Sequence, residues 1–280
     1  MSASSSATPK ALLAIATEIA VEAGNLARDL RERGVRVAAT KSTQTDVVTE
    51  ADRATERTLI GLLADRRPDD SVLGEEGGLS VTGTSDITWV LDPIDGTVNY
   101  LYGLPLYSVS VAATVADPNG PDGRRSLAGC VYVPVTGEVF AASLGGGATL
   151  NGERIAHNHL EDLGQALVGT GFGYSRERRA EQAGIAAAIL PRVRDIRRLG
   201  SAAYDLCAIA SGRLDLYYER GLQPWDYAAG FLIAAEAGAA VLGHRDGTAP
   251  GEWLAVVGHR PLAEQMQTLV SQEPAPEHWD

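Results

Sequence analysis

The run Ile87-Thr88-Trp89-Val90-Leu91, followed at once by Asp92-Pro93-Ile94-Asp95-Gly96-Thr97, constrains this chain more than any other stretch. A short apolar, β-branched and aromatic run reads as a buried strand. Asp92 and Asp95 therefore stand at the carboxyl end of a core strand, where open α/β sheets gather their ligands. Pro93 has no N–H and is expected to end the sheet ladder. Gly96 lets backbone approach a ligand closely, and Thr97 adds a hydroxyl. Two anionic oxygens, a turn and a hydroxyl make a cradle for hard cations. The same residues also suit a strand that closes in an Asx-type turn, and by itself the segment does not decide between the two.

One covalent chemistry is disfavoured. A haloacid-dehalogenase phosphatase carries Asp-x-Asp-x-Thr with the first Asp as nucleophile. Counted back from Asp95, that position holds Pro93, and the acid lies one residue earlier. Metal ligation is the better reading of the pair.

A chain of 280 residues can bury a sizeable core as one large domain or two intimate subdomains. We expect a division into residues 9–150 and 151–272. A net charge of −12 argues against a polyanion-binding face, so no direct nucleic-acid partner is expected. An acidic protein can still bind phosphate if divalent cations lie between them. Cys130 and Cys207 sit in apolar runs and read as buried thiols in a reducing compartment. No signal-peptide layout and no membrane-length apolar run are present, so a cytoplasmic protein without a membrane partner is expected. Lys10 and Lys41 are the only lysines among 24 basic residues, which makes Lys41 noticeable.

Helical spacing predicts a helix over 11–33, and a second over 50–67 with Thr49 as N-cap and Pro68 as stop. Strands are expected at 89–91, 108–115, 127–133 and 138–143, with a hairpin turn at 134–137. Beyond residue 151 strands and helices alternate: strands at 166–170, 214–218 and 254–257, helices at 176–190, 202–211, 225–237 and 261–270. The first half reads as α+β and the second as α/β, packed in layers around a shared cleft.

Other groups are weaker alone. Glu75 and Glu76 lie on a glycine-rich turn, which also suits plain solvation. Asp226 opens an apolar helix, where an acid commonly satisfies free N–H groups. Asp46, Thr49 and Asp52 suit a loop and a helix start. His157 and His159 sit in a polar loop and read as a solvated pair. Gly169-Thr170-Gly171-Phe172-Gly173 lacks the dinucleotide spacing, and there is no Walker loop or nucleophile elbow.

Taken together, these segments resemble the inositol monophosphatase family. The resemblance spans roughly residues 11–270 and rests on four ordered blocks. They are Lys41 with Asp46-Val47-Val48-Thr49-Glu50-Ala51-Asp52, then Gly74-Glu75-Glu76, then Asp92 to Thr97, then Trp225-Asp226 with Ala228-Ala229-Gly230. It implies a layered αβαβα sandwich, usually dimeric, with two to three Mg²⁺ ions per active site. Glu75, Asp92 and the Ile94 carbonyl would hold one ion, and Asp92, Asp95 and Asp226 a second. Glu75 would help hold a third. Asp52 and Thr97 would orient the attacking water, and the N–H groups of Gly96 and Thr97 would face the phosphate. Gly200, Ser201 and Ala202 would line the sugar pocket, with Glu219 accepting a hydrogen bond from a polyol hydroxyl. Asp226 would border the substrate as well as a metal. Lys41 would lie on a mobile loop near the site.

The chemistry agrees with that resemblance. Phosphate monoesters hydrolyse very slowly unaided, and their transition state needs charge neutralisation and an aligned nucleophile. Converging carboxylates without cations repel one another, so a metal-free site should be disordered or partly protonated. The leading expectation is Mg²⁺-dependent, lithium-sensitive hydrolysis of inositol 1-phosphate. Histidinol phosphate or another small phosphate ester is the alternative substrate. A regulatory interaction protein is the alternative of another class.

Overall fold

The computed structural model describes residues 8–35, 37–40 and 47–271. Lys41 and Asp46 lie outside the described residues. Thr8 caps α1 (Pro9–Glu32) through the Ala11 N–H, and Pro9 sits where no N–H is needed. Leu12, Ala16, Ile19, Ala23 and Ala27 form its buried stripe. A two-stranded ribbon, β1 (Val37–Thr40) and β2 (Val47–Thr49), leads into α2 (Glu50–Arg66). Thr49 and Asp52 close a capping box at its start, as the Thr49 assignment anticipated.

The following strands are β3 (Ser71–Gly74), β4 (Gly78–Val81) and β5 (Thr88–Asp95). The short helix α3 (Thr97–Tyr102) comes next, then β6 (Ser108–Ala116), β7 (Arg124–Val133), β8 (Glu138–Ser143), β9 (Gly147–Leu150) and β10 (Glu153–Arg154). They build one eight-stranded sheet in the order β10-β9-β8-β7-β6-β5-β3-β4. Its only parallel pair is β3 with β5. Pro93 does not end β5, contrary to expectation. The register shifts between Asp92 and Asp95, and pairing resumes with Asp95 opposite Ser108. The lost donor is absorbed by a bulge, which bends the strand and re-aims its carboxylates.

The rest of the chain forms β11 (Leu167–Thr170), α4 (Arg176–Ile189), β12 (Asp195–Arg197), α5 (Ala202–Ala210) and β13 (Leu216–Glu219). These are followed by α6 (Pro224–Glu236), β14 (Ala240–Leu242), β15 (Ala255–Gly258) and α7 (Arg260–Val270). The second sheet runs β12-β11-β13-β15-β14. β11 is parallel to both its neighbours, and β15 is antiparallel to both of its own.

Side-chain alternation explains the layering. Trp89, Leu91, Val109 and Val111 face α1 and α2. Val90, Ala112 and Val131 face the other way, onto α5 and α6. That helical layer also packs Tyr217 and Val257 of the second sheet. Tyr218 and Val256, one residue along, face Ile185 of α4 and Met266 of α7. The result is the expected αβαβα sandwich. Trp89 is fully buried, which stabilises by about 2–3 kcal/mol, and its indole N–H donates to Asp70 at 2.8 Å. Cys130 and Cys207 are buried and unpaired, as expected. Among the described residues, no helix is long and apolar enough to cross a membrane.

The histidine reading needs correction. His157 is buried, and its Nε2 lies 3.2 Å from Nδ1 of His259. The fold supplies a partner a hundred residues away that the local polar sequence does not reveal.

Candidate active site

The bulged end of β5 sets the geometry. Asp92 is 1% exposed, and its Oδ1 accepts the Ile94 N–H at 3.1 Å. That is an Asx-type bond, so the turn reading holds, and the same carboxylate belongs to the acidic cluster. Asp95 reaches the start of α5, where its Oδ2 accepts from Ser201 Oγ at 2.6 Å and the Ala203 N–H at 2.7 Å. Gly96 adopts φ +94°, and a Cβ there would lie 2.9 Å from the Gly200 carbonyl oxygen. Only glycine meets both demands cheaply. Here the two halves of the chain touch backbone to backbone.

Asp226 lies in the first turn of α6 and accepts the Gln223 N–H at 2.7 Å. The capping role suggested by sequence is present, yet its carboxylate also faces the other acids. Ligand-capable oxygens of Asp92, Asp95 and Asp226 lie within 4.8 Å of one another. A cleft of about 610 Å³ opens over them. Glu75, Ile94, Gly96, Thr97, Gly200, Ser201, Ala202 and Glu219 line it as well. Asp52 is fully buried behind this lining, and its Oδ1 is 3.1 Å from Thr97 Oγ1. Its other oxygen accepts the Thr49 N–H at 2.8 Å and the Thr49 hydroxyl. Every candidate residue within the described part thus lies in the cleft or one hydrogen bond behind it.

The acids are electrostatically uncomfortable. Burial, then repulsion from Glu75, Asp95 and Asp226, holds the Asp92 carboxyl well above the usual carboxylate range. Burial followed by the Asp95 charge does the same to Asp226. Asp95 is pushed up to about 6 by burial, although the Ser201 and Ala203 bonds pull it down. Burial raises Asp52 against the opposing Thr49 bonds. Burial pushes Glu219 to about 7 despite a hydrogen bond from the Tyr217 hydroxyl. A divalent cation among these groups would reverse each of the repulsions. The donors are all oxygen, which suits a hard ion. The cluster therefore fits a divalent metal centre on its own chemistry.

Several lining residues went unread in the sequence. Asp205 is buried on α5 and faces the cleft with Arg178, Arg198 and Glu252. A lone acid within the apolar run Ala202–Ala210 was the available signal for Asp205. The two arginines carried none, because arginine is common throughout the chain.

Five layers around a carboxylate cleft define a class of layered α+β hydrolases with an acidic centre where strands of two sheets end. The chain belongs to the inositol monophosphatase family, whose sequence model matches residues 9–275, and it is a phosphatase of that family. It is 48% identical to an inositol-1-monophosphatase of Mycobacterium leprae, over 92% of each chain. It is 38% identical to the Nus factor SuhB of Vibrio cholerae, over 85% of this chain and 86% of that one. The structure of Mycobacterium tuberculosis SuhB superposes with a TM-score of 0.79 at 41% identity, covering 95% of this chain and 97% of the other.

Proposed function

We propose that the chain hydrolyses myo-inositol 1-phosphate to inositol and phosphate with Mg²⁺ as cofactor. The observation that carries this reading is the convergence of Asp92, Asp95 and Asp226 beside the Asp52–Thr97 pair in one cleft. Glu75, Asp92 and the Ile94 carbonyl would hold one ion, and Asp92, Asp95 and Asp226 another. Glu75 would assist a third. When bound, such ions neutralise phosphoryl charge and acidify water.

The chain's own groups supply alignment. Asp52 is anchored by Thr49 through Oδ2, so its Oδ1 can accept the hydrogen bond that the Thr97 hydroxyl donates. Thr97 Oγ1 then presents its lone pairs to water and holds it for in-line attack. The N–H groups of Gly96 and Thr97, at the start of α3, would face the phosphate oxygens. Ser201 and Ala203 hold Asp95 in place from α5. Gly200, Ser201 and Ala202 would border the polyol ring, and Glu219, when ionised, would accept from a ring hydroxyl. By resemblance, Lys41 would approach from the preceding loop. The same resemblance supports a cytoplasmic homodimer inhibited by lithium, and subdomains that divide near residue 150.

The test is phosphate release from inositol 1-phosphate, histidinol phosphate and fructose 1,6-bisphosphate, with Mg²⁺ titrated and lithium added. Fast lithium-sensitive release from the inositol ester is expected. A preference for another ester would replace the substrate. No Mg²⁺ dependence would remove the metal assignment. The relatives named Nus factor SuhB support a second reading, in which the chain also acts as an interaction partner. An inactive Asp95→Asn variant that still complements a deletion would favour it.

A further inference from the structure

We propose that His157, His159 and His259 form a second metal site, built for a borderline divalent ion such as Zn²⁺ and separate from the carboxylate cleft. One imidazole nitrogen from each lies within 4.8 Å of the other two. The rings are grouped with centroids 4.6 to 5.4 Å apart.

The geometry of His157 gives the cluster its direction. Its Nδ1 lies 3.0 Å from the Ala237 carbonyl oxygen, which can only accept, so Nδ1 carries the proton. Nε2 is then left with its lone pair facing the other two rings. Metal-bound histidines are commonly fixed in this way, by a backbone carbonyl on the second nitrogen. Gly238, at φ +94°, packs against the same ring: a Cβ there would lie 3.2 Å from Cε1 and Nδ1. The ring is thus seated by the fold.

His157 Nε2 and His259 Nδ1 are 3.2 Å apart. Two nitrogens about 2.0–2.1 Å from one tetrahedral ion would stand about 3.3 Å apart. The same spacing allows an N–H···N hydrogen bond, so the pair is preformed in either state. His159 is exposed on the loop, so a change of rotamer completes a three-nitrogen face. Burial, then the neighbouring rings, lowers the His157 pKa and keeps its lone pair available. Three imidazoles favour Zn²⁺-class ions over Mg²⁺, and they leave a fourth position for water or an outside ligand.

Topology separates this cluster from the cleft. Glu219 faces Ala255 at one end of the β13–β15 pair, and Leu216 faces Gly258 at the other. His259 follows Gly258, about 10 Å along the strands from the cleft. An ion here would tie the 155–162 connection to α7 and to the end of α6.

The test is Co²⁺ titration of the full chain with saturating Mg²⁺ present, read by visible absorption and by competition with Zn²⁺. One equivalent of Co²⁺ with nitrogen-ligand bands is expected, displaced by Zn²⁺. Binding should weaken at least tenfold in His159→Ala, whose exposed side chain leaves the core intact, and persist in Asp95→Asn. Zn²⁺ should raise the melting temperature of the parent chain and not of His159→Ala. No Co²⁺ band, equal binding in His159→Ala, or loss in Asp95→Asn would each overturn the proposal.

Discussion

Two clusters able to bind metals stand at opposite ends of the five-stranded sheet, and they differ in how they survive without an ion. Asp92, Asp95 and Asp226 are buried together, and burial first, with like-charge repulsion added at Asp92 and Asp226, raises their pKa values. The three histidines are neutral when deprotonated and can satisfy each other, as the 3.2 Å contact between His157 and His259 shows. An acidic cluster stores strain that a cation relieves, whereas an imidazole cluster is content unloaded. The first should couple metal to stability strongly, and the second weakly.

The largest effect should come from Asp95→Asn. Asparagine keeps an acceptor oxygen for Ser201 and Ala203 but loses the charge. Turnover should fall on the order of 10³-fold or more, while melting in the presence of a chelator stays equal or rises. A marked drop in that melting temperature would show that repulsion is not what the carboxylates contribute. Thr97→Val removes the hydroxyl that donates to Asp52 and that would orient the attacking water. It should lower kcat on the order of 10²-fold, with Thr97→Ser retaining most activity. Equal loss in both variants would point to packing.

The pH dependence sharpens the comparison next. Asp95 has a folded pKa of about 6 against an ordinary 3.8. Between those values the folded chain holds a proton that the unfolded chain has released. Stability from this group is therefore full below about pH 4 and declines as pH rises through 6, by on the order of 2–3 kcal/mol. Asp92 and Asp226 shift in the same direction. Urea denaturation in chelator should give a lower stability at pH 7.5 than at pH 5, with Mg²⁺ restoring it only at the higher pH. Flat behaviour would show that burial does not hold these carboxyls in their protonated form. The smallest effect should be that of His159→Ala on metal-free stability, within about 0.5 kcal/mol. A larger loss would mean the histidine cluster is also strained.

What could be read from sequence follows how local each signal is. Asp92 to Thr97 sit on consecutive residues, so chemistry and turn are written together. Thr49 as N-cap and Pro68 as stop are local signals, and they placed α2 correctly. The buried runs of β6, β7 and β8 are long enough to announce themselves. By contrast β1, β10, β12 and β14 have two to four residues each and no period to detect. The bulge at Pro93 depends on β6 offering Ser108 beyond the gap. Asp205, Arg178 and Arg198 line the cleft from α5, from the start of α4 and from the turn before α5, three places far from the β5 motif in sequence. His259 is about a hundred residues from His157, and neither flank suggests the other.

The bond from Ser201 to Asp95 has a consequence in time. It spans 106 residues of chain. During synthesis Asp95 leaves the ribosome long before Ser201, Ala203 and Asp226 exist. At about 5–20 residues per second, that interval is on the order of ten seconds. Throughout it the motif that looks most like a metal site is an unsupported strand end with incomplete ligation. The candidate active site is therefore a late product of translation, assembled only when the helices of the middle layer arrive to grip what was made first.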